Sequence, residues 1–548
     1  MRLISTSTLT ICEFVGSSTP PYGLLSHTWE EGEVSYQEMM AGSARTKRGY
    51  SKIEMACKLA KVEGIAYVWV DTCCIDKSSS VELSEAINSM FQWYKDSLIC
   101  YAYLSDLRPF TDLSRTLKSC RWFTRGWTLQ ELIAPTNINF FDQNWGFIGN
   151  KKDLMEEVSS ITGIGVLVLN HTTPLSSVTV ATRMSWASYR QTTREEDMAY
   201  CLLGIFSVNM PLIYGEGSKA FTRLQEEIIR SICDLSIFAW KAVPDQDERH
   251  SRRYSGALAK SPKLFSSCRH IIRSKETRFH ADFSVTNRGI RMPAGLIGLS
   301  IKNSQGCHYV LCLDCSTEGQ SNSSLAIYLR KCGADLFIRD HPSSLATVTP
   351  ESGNRYRFRT IYILSKLPES PCPLQDGFPS PDDDLVISRR VSAIRICLPP
   401  GLVVYNANPP SHRDSQDEVF FSTESTHDGW CAITIEGTLR LDGQHVPVSC
   451  FFACFGWNCR QKYLVSTLVN LSTCDPISIN RLVSELEREQ NDFIPWALED
   501  LEYFGIPLQG FVTLEAAGHT FKLSHIAKKV FVPTICKSEM YQVEIFLD

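Results

Sequence analysis

No apolar run in this 548-residue chain approaches the roughly 18 consecutive residues that a membrane-spanning helix needs. The amino terminus, MRLISTSTLTICEFVG, is interrupted by Ser and Thr where a secretory signal would hold one continuous apolar region. Excess positive charge is missing as well. The 55 Lys and Arg are interspersed among 60 Asp and Glu for a formal charge of -5, which gives no polycationic surface for nucleic acid or an anionic membrane. Solenoid and propeller repeats are absent. The Gly-x-Gly pairs in Thr162-Gly-Ile-Gly165 and Gly215-Glu-Gly217 lack a third glycine and a Lys-Ser/Thr ending, so neither is a nucleotide fingerprint. No G-x-S-x-G, H-E-x-x-H or kinase motif set occurs. These absences exclude the commonest membrane, polyanion-binding and hydrolase classes, and the expectation is a cytoplasmic protein without a membrane span.

What is present is an ordinary globular composition in a chain too long for one core. Single domains seldom exceed about 250 to 300 residues, so two or three are expected. Cysteine is plentiful at 21, but Cys57, Cys100, Cys201, Cys312 and Cys450 sit in apolar or helical settings, which suits reduced thiols rather than a disulfide framework. The Cys312-Leu-Asp-Cys315 spacing, near Cys307-His308, has no second knuckle, and vicinal Cys73-Cys74 make a poor metal clamp; no metal is expected.

The first 110 residues alternate strand and helix signals. Tyr22 to Ser26 reads as a strand ending at His27-Thr-Trp29, and the segment from Ser51 has apolar positions Ile53, Ala56, Cys57 and Ala60 at helical spacing, closed by Gly64. Ile65 to Val70 reads as a second strand, Ser80 to Tyr94 as a helix and Leu98 to Leu104 as a third strand. This βαβαβ order implies a mostly parallel sheet whose ligands sit beyond the carboxyl ends of its strands. Those ends present Ser26, His27, Trp29, Asp71, Cys74 and Asp76. On the helix, Leu83, Ile87, Met90, Phe91 and Tyr94 share a core face, and Ser79-Ser-Val-Glu82 fits a capping box, while Glu85 lies on the opposite side near Asn88, Ser89 and Gln92.

Mostly helical signals follow from Ser114 to Arg230, interrupted by the aromatic segment Asn139 to Trp145, which reads as a further strand. In CRWFTRGWTLQE (Cys120 to Glu131), Arg125 beside Trp127 suits stacking on a flat ring or pairing with phosphate or carboxylate; the alternative is an aromatic core helix with Arg125 paired to Glu131. After a polar linker over 236–253, short apolar runs such as Tyr309 to Leu313 and Val391 to Leu398 predict a β-rich domain over 254–548. Two stretches rich in Pro, Ser and Asp, Pro368 to Asp384 and Asn406 to Asp428, read as loops.

The blocks YGLLSHTW (22–29), YVWVDTCCIDKSSSVELSEAINSMFQWY (67–94), WFTRGWTLQELIAPTNINFF (122–141) and TTREEDMAYCLLGIFSVNMPLIYGEG (192–217) resemble, in order, the fungal heterokaryon incompatibility domain, especially its vegetative-incompatibility group. The resemblance covers residues 1–235, with a motif core over 22–150 and a helical extension over 151–235. It implies a TIR-like, doubly wound and mostly parallel sheet, and an effector of programmed cell death in fungal self/non-self recognition. Some TIR domains hydrolyse NAD with a helix-borne glutamate, a position that falls on Glu85; the broader heterokaryon pattern places its acid at Glu82. Val81 and Glu82 stand where those TIR enzymes carry Trp and Cys, and Glu30 replaces the Gly usual after the SHxW motif. By this resemblance Glu85 or Glu82 is the catalytic carboxylate, with Glu82, Asp71 or Asp76 placing water, and His27, Trp29, Asp71, Cys74, Arg125 and Trp127 hold NAD as a substrate rather than as a tightly bound cofactor. Activation by homo-oligomerisation and a protein partner within the incompatibility system are implied as well. The alternative is a non-enzymatic, self-associating signalling or scaffold module.

Overall fold

Seven short strands form the amino-terminal sheet: β1 (Arg2–Ser5), β2 (Ile11–Glu13), β3 (Gly23–His27), β4 (Tyr67–Val70), β5 (Ile99–Tyr103), β6 (Ile138–Phe141) and β7 (Phe147–Asn150). They lie in the order β2-β1-β4-β3-β5-β6-β7. The computed structural model describes residues 1–109, 116–242, 254–274, 282–294, 296–299, 308–320, 323–331, 336–348, 359–366, 393–408, 413–414, 419–421, 430–441, 443–455, 465–471, 511–516, 519–530 and 540–547. The four central strands are parallel, with Leu24 opposite both Trp69 of β4 and Cys100 of β5. Antiparallel strands close both edges, through the β1–β2 hairpin on one side and β7 on the other. The parallel core thus agrees with the sequence reading, and the antiparallel edges add to it. The amino-terminal hairpin escaped that reading because Ser and Thr interrupt its apolar positions.

Every residue of β3 is buried, as a strand covered on both faces requires. In the parallel core β3 is first in sequence yet lies between β4 and β5, so chain direction across the sheet reverses at the β3/β5 boundary. Open α/β sheets leave a crevice outside the strand ends at such a reversal.

The connecting helices are α1 (Tyr36–Met40), α2 (Tyr50–Val62), α3 (Asp71–Cys74), α4 (Ser80–Asp96), α5 (Arg121–Thr124) and α6 (Thr128–Ile133). Gly64, at φ +76°, ends the α2 segment in the left-handed backbone that glycine tolerates best. On α4 the Ser79 hydroxyl accepts from the Glu82 amide at 3.3 Å, as the cap requires. The reciprocal half of the expected capping box is absent: the Glu82 carboxylate accepts from the Asp76 amide at 2.8 Å and pairs with Arg2 instead. The charge of Arg2, supplied by β1, draws the carboxylate away from its own helix start.

The helical extension contains α7 (Met155–Thr162), α8 (Val166–Leu169), α9 (Val180–Ser185), α10 (Asp197–Tyr200), α11 (Leu203–Phe206) and α12 (Lys219–Ser231). It packs on α4 at close range. Asn88 grips the Met210 backbone from both sides, its amide donating to the carbonyl and its oxygen accepting from the amide. Residues Ile237, Phe238 and Trp240, within the expected linker, are instead buried; 243–253 lie outside the described residues.

By internal contacts the chain divides into Met1–Val243 with Leu258–Lys275, and Pro244–Ala257 with Glu276–Asp548. The second unit is β-rich. Within it a four-stranded and a six-stranded sheet share one apolar core that includes Ile435, Phe452, Leu523 and Val543. Its longest hairpin pairs Trp430–Leu441 with Gln444–Phe455. Cys312 ends one strand and Cys315 begins another, with Asp314 between them at φ +49°, so the two thiols do not share a continuous strand. The loop read over Pro368 to Asp384 lies outside the described residues, as does Cys307. Of the loop read over Asn406 to Asp428, residues 406–408, 413–414 and 419–421 belong to strands. Cys12, Cys57, Cys73, Cys74, Cys100, Cys120, Cys201, Cys397 and Cys450 are free thiols, and among the described residues no helix is long and apolar enough to cross a membrane.

The α4–α11 contact has no slack. A Cβ on Gly204 would lie 2.1 Å from Phe91 Cβ, an atom fixed to the α4 backbone. Gly204→Ala is therefore expected to destabilise the first unit by about 2 kcal/mol, read as a fall in the thermal midpoint; an unchanged midpoint would contradict this packing.

Candidate functional site at the strand ends

Strand β3 ends in two polar residues, Ser26 and His27, and consecutive strand residues face opposite sides of a sheet. Ser26 enters the layer of α4 and α6, and His27 the layer of α2. Each meets a buried acid.

On the first face the Ser26 hydroxyl donates to Glu131 of α6 and accepts from the Trp122 indole at 2.8 Å. Tyr94 of α4 also hydrogen-bonds to Glu131. Burial, and then the charge of Asp71, push the Glu131 carboxyl up to about 8 against these hydrogen bonds, so it holds a proton at neutral pH. On the second face His27 Nε2 lies 3.4 Å from Glu33 Oε2. Lys52 of α2, buried, reaches Glu33 at 2.6 Å and Glu30 at 3.3 Å. Burial would raise the Glu33 carboxyl, but His27 and Lys52 outweigh it and hold it down at about 2. His27 Nδ1 is buried without a hydrogen-bond partner.

The chain then surfaces. Trp29 is 50% exposed, and its indole donates to Asp71 Oδ2, at the start of α3, over 2.8 Å. The Lys77 ammonium sits 3.6 Å above the Trp29 ring. Arg121 NH2 donates to Thr28 Oγ1 at 3.1 Å and to the Trp29 carbonyl at 3.3 Å. Asp71 Oδ1 is buried and unpartnered. The mouth of the β3/β4 strand ends therefore carries an aromatic face, two cations and the carboxylate that holds the indole.

His27, Trp29 and Asp71 are thus gathered together. Cys74 is buried, its sulfur accepting from the Val70 amide, and the neighbouring Cys73 thiol is pushed well up by its contact with Cys74 and by burial. Arg125 and Trp127 face the helical extension: Arg125 donates to Thr193 Oγ1 at 3.1 Å and the Trp127 indole hydrogen-bonds to Asp197. The alternative pairing of Arg125 with Glu131 does not form, because Glu131 is enclosed by Ser26 and Tyr94. Asp76 is committed to Gln37 and Ser78, and Glu82 to Arg2 and the Asp76 amide. Glu85 is exposed on α4 and makes no hydrogen bond or ion pair among the described residues.

Sequence reasoning missed Lys52 and Glu33. Lys52 stands four residues before Ala56 on the buried face of α2, a signal that was available; Glu33, in a loop, gave none. Removing Glu33 leaves Lys52 and His27 without their shared acid. Glu33→Gln is expected to cost about 3 kcal/mol near neutral pH, measured by denaturant unfolding. A carboxyl held below its ordinary 4.5 stabilises above that pH and loses its contribution as pH falls toward about 2, so the variant is also expected to lose that part of the acid-side slope. Equal acid slopes in both proteins would contradict the assignment.

Comparison with known proteins finds similarity in two segments of the chain. The model described as "Heterokaryon incompatibility protein (HET)" matches residues 22–116, and a domain of unknown function, DUF8212, matches residues 219–310. Over 254 residues, 44% of the chain, the sequence is 47% identical to "Vegetative incompatibility protein HET-E-1" of Podospora anserina. The match spans 18% of the length of that relative. No solved structure matches. The described strand ends His27, Trp29 and Asp71 all fall inside the first match, so the site lies in the segment that is similar to the heterokaryon incompatibility domain.

Proposed function

We propose that the amino-terminal domain is an effector of fungal heterokaryon, or vegetative, incompatibility, and that it promotes cell death by hydrolysing the N-glycosidic bond of NAD. The similarity to a vegetative incompatibility protein supports the biological role. The chemical reading is carried by one observation: an exposed indole fixed by a carboxylate, beside a buried imidazole with a free nitrogen, at the carboxyl ends of parallel strands.

In this reading Trp29 offers its face to a flat ring, and Arg121 and Lys77 attract the diphosphate. The bond between the nicotinamide nitrogen and ribose C1′ breaks, with its electron pair leaving on neutral nicotinamide. Water oxygen then bonds to C1′ and releases a proton to solvent. A carboxylate stabilises the oxocarbenium-like state between these events. Glu85, uncommitted on α4, is the first candidate for it; Glu82 is second, since its charge is already engaged by Arg2. Association of several copies on activation belongs to the same proposal.

The test is nicotinamide release from NAD by the purified full chain, with oligomerisation forced by a fused dimeriser. Wild type is expected to release nicotinamide, Glu85→Gln to lower the rate at least ~100-fold, and Trp29→Ala to raise KM more than it lowers kcat. No release from the oligomerised wild type would overturn the enzymatic reading in favour of a self-associating scaffold.

A further inference from the structure

The aromatic segment Asn139 to Trp145 reads as one strand in the sequence, but the strand stops at Phe141 and residues 142–146 turn back into β7. Asp142 sets that turn. Its Oδ1 accepts from the Asn144 and Gly146 amides, each at 2.8 Å, and its carbonyl accepts from the Trp145 amide at 2.9 Å. Trp145 is thereby held at φ +62°, in the left-handed backbone that suits glycine and asparagine and is unfavourable for a bulky side chain. Asn144 and Gly146 stand on either side of it. The turn itself has no need of an indole at that position, and strain of this kind collects at active sites and ligand clamps.

The strained turn gives the indole a particular place. Trp145 is half-buried and stacks on the Tyr103 ring, with centroids 4.5 Å apart and planes 17° from parallel. Tyr103 ends β5, in register with His27 of β3 and with Phe141 of β6. The stack therefore stands at the carboxyl ends of parallel strands, on the β5 side of the reversal between β3 and β5. A series of contacts joins it to Trp29. Lys52 Nζ lies 6.0 Å from the centre of the Tyr103 ring and 3.3 Å from Glu30; Glu30 lies 3.9 Å from Arg121, which donates to the Trp29 carbonyl at 3.3 Å. The Trp29 indole is fastened to Asp71, just past β4, whereas Trp145 follows β6. Those two strand ends are three strand spacings apart, or about 14 Å.

A dinucleotide carries two flat rings joined through a diphosphate, and the Trp29 face seats only one of them. Stacking on an aromatic side chain is how proteins hold an unpaired base. We propose that the Tyr103–Trp145 stack receives the second ring of NAD while Trp29 receives the first, with the Arg121 guanidinium facing the diphosphate between them. This rests on the reading of the strand ends as a NAD site and adds to it the residue that distinguishes a dinucleotide from a mononucleotide. It does not depend on the cleavage step.

The experiment is NMR of the full chain with indole-labelled tryptophan, titrated with NAD and, separately, with the half-molecules AMP and nicotinamide mononucleotide. The Trp145 indole N–H resonance, assigned with Trp145→Phe, is expected to shift saturably with NAD. Trp145→Asn, whose asparagine accepts the left-handed backbone and so preserves the turn, is expected to weaken NAD binding about 10-fold while the half-molecule that shifts Trp29 keeps its affinity within about 2-fold. A Trp145 resonance that stays fixed while Trp29 responds to NAD overturns the inference and leaves the nucleotide reading standing. Equal losses for NAD and for that half-molecule mark Trp145 as a packing residue and overturn the inference as well. Both resonances shifting without nicotinamide release supports the inference and removes only the hydrolysis; neither shifting overturns the inference together with the nucleotide reading.

Discussion

A strand buried on both faces cannot end in two polar side chains unless each finds a partner in the layer it enters. At the end of β3 the Ser26 hydroxyl meets Glu131 on one side of the sheet, and on the other His27 faces Glu33, itself held by Lys52, across 3.4 Å. The two acids respond in opposite directions. Glu131 is pushed up by burial and by an acid nearby, against its hydrogen bonds and the charge of Arg190; Glu33 lies between a lysine and a histidine and is held down. One strand terminus therefore presents a neutral acid to one layer and an ionised acid to the other. Between them the chain emerges at Trp29.

Such arrangements contribute little to net stability. Buried ion pairs roughly break even against apolar packing, although removing one partner is costly. Their presence at the carboxyl ends of parallel strands agrees with a site whose electrostatics are set for a ligand. The helical extension is part of the same body. Asn88 binds the Met210 backbone, Arg125 meets Thr193, Trp127 meets Asp197, and Gly204 lies against Phe91. Several blocks that stand far apart in the sequence are thus joined as packing partners, and within the aromatic-arginine block Arg125 and Trp127 serve this joint while Arg121, Trp122 and Glu131 turn to the strand end.

Much of the parallel core was legible because its signals are local. The apolar runs of β3, β4 and β5 and the 3.6-residue spacing of α2 and α4 each stand within a short window. What was not legible depended on long-range partners. Ser79 and Glu82 match a capping box in sequence, but an arginine 80 residues away claims the carboxylate. Arg125 and Glu131 stand in one block as possible partners, but residues near position 190 and at position 26 decide where each turns. Trp29 and Asp71 were both singled out, whereas their hydrogen bond across two strand ends required the sheet order. Lys52 stood visibly on the apolar face of α2, but its role required its acid partners, which lie in a loop, to be placed.

The central claim is that the Trp29–Asp71 mouth is where this domain meets a nucleotide. The most direct measurement is NMR of the full chain with indole-labelled tryptophan, titrated with NAD, in wild type and Asp71→Asn. The account predicts that the Trp29 indole N–H resonance, assigned with Trp29→Phe, shifts saturably on titration and that Asp71→Asn weakens the response at least ~10-fold. A Trp29 resonance that stays fixed at saturating nucleotide would contradict it.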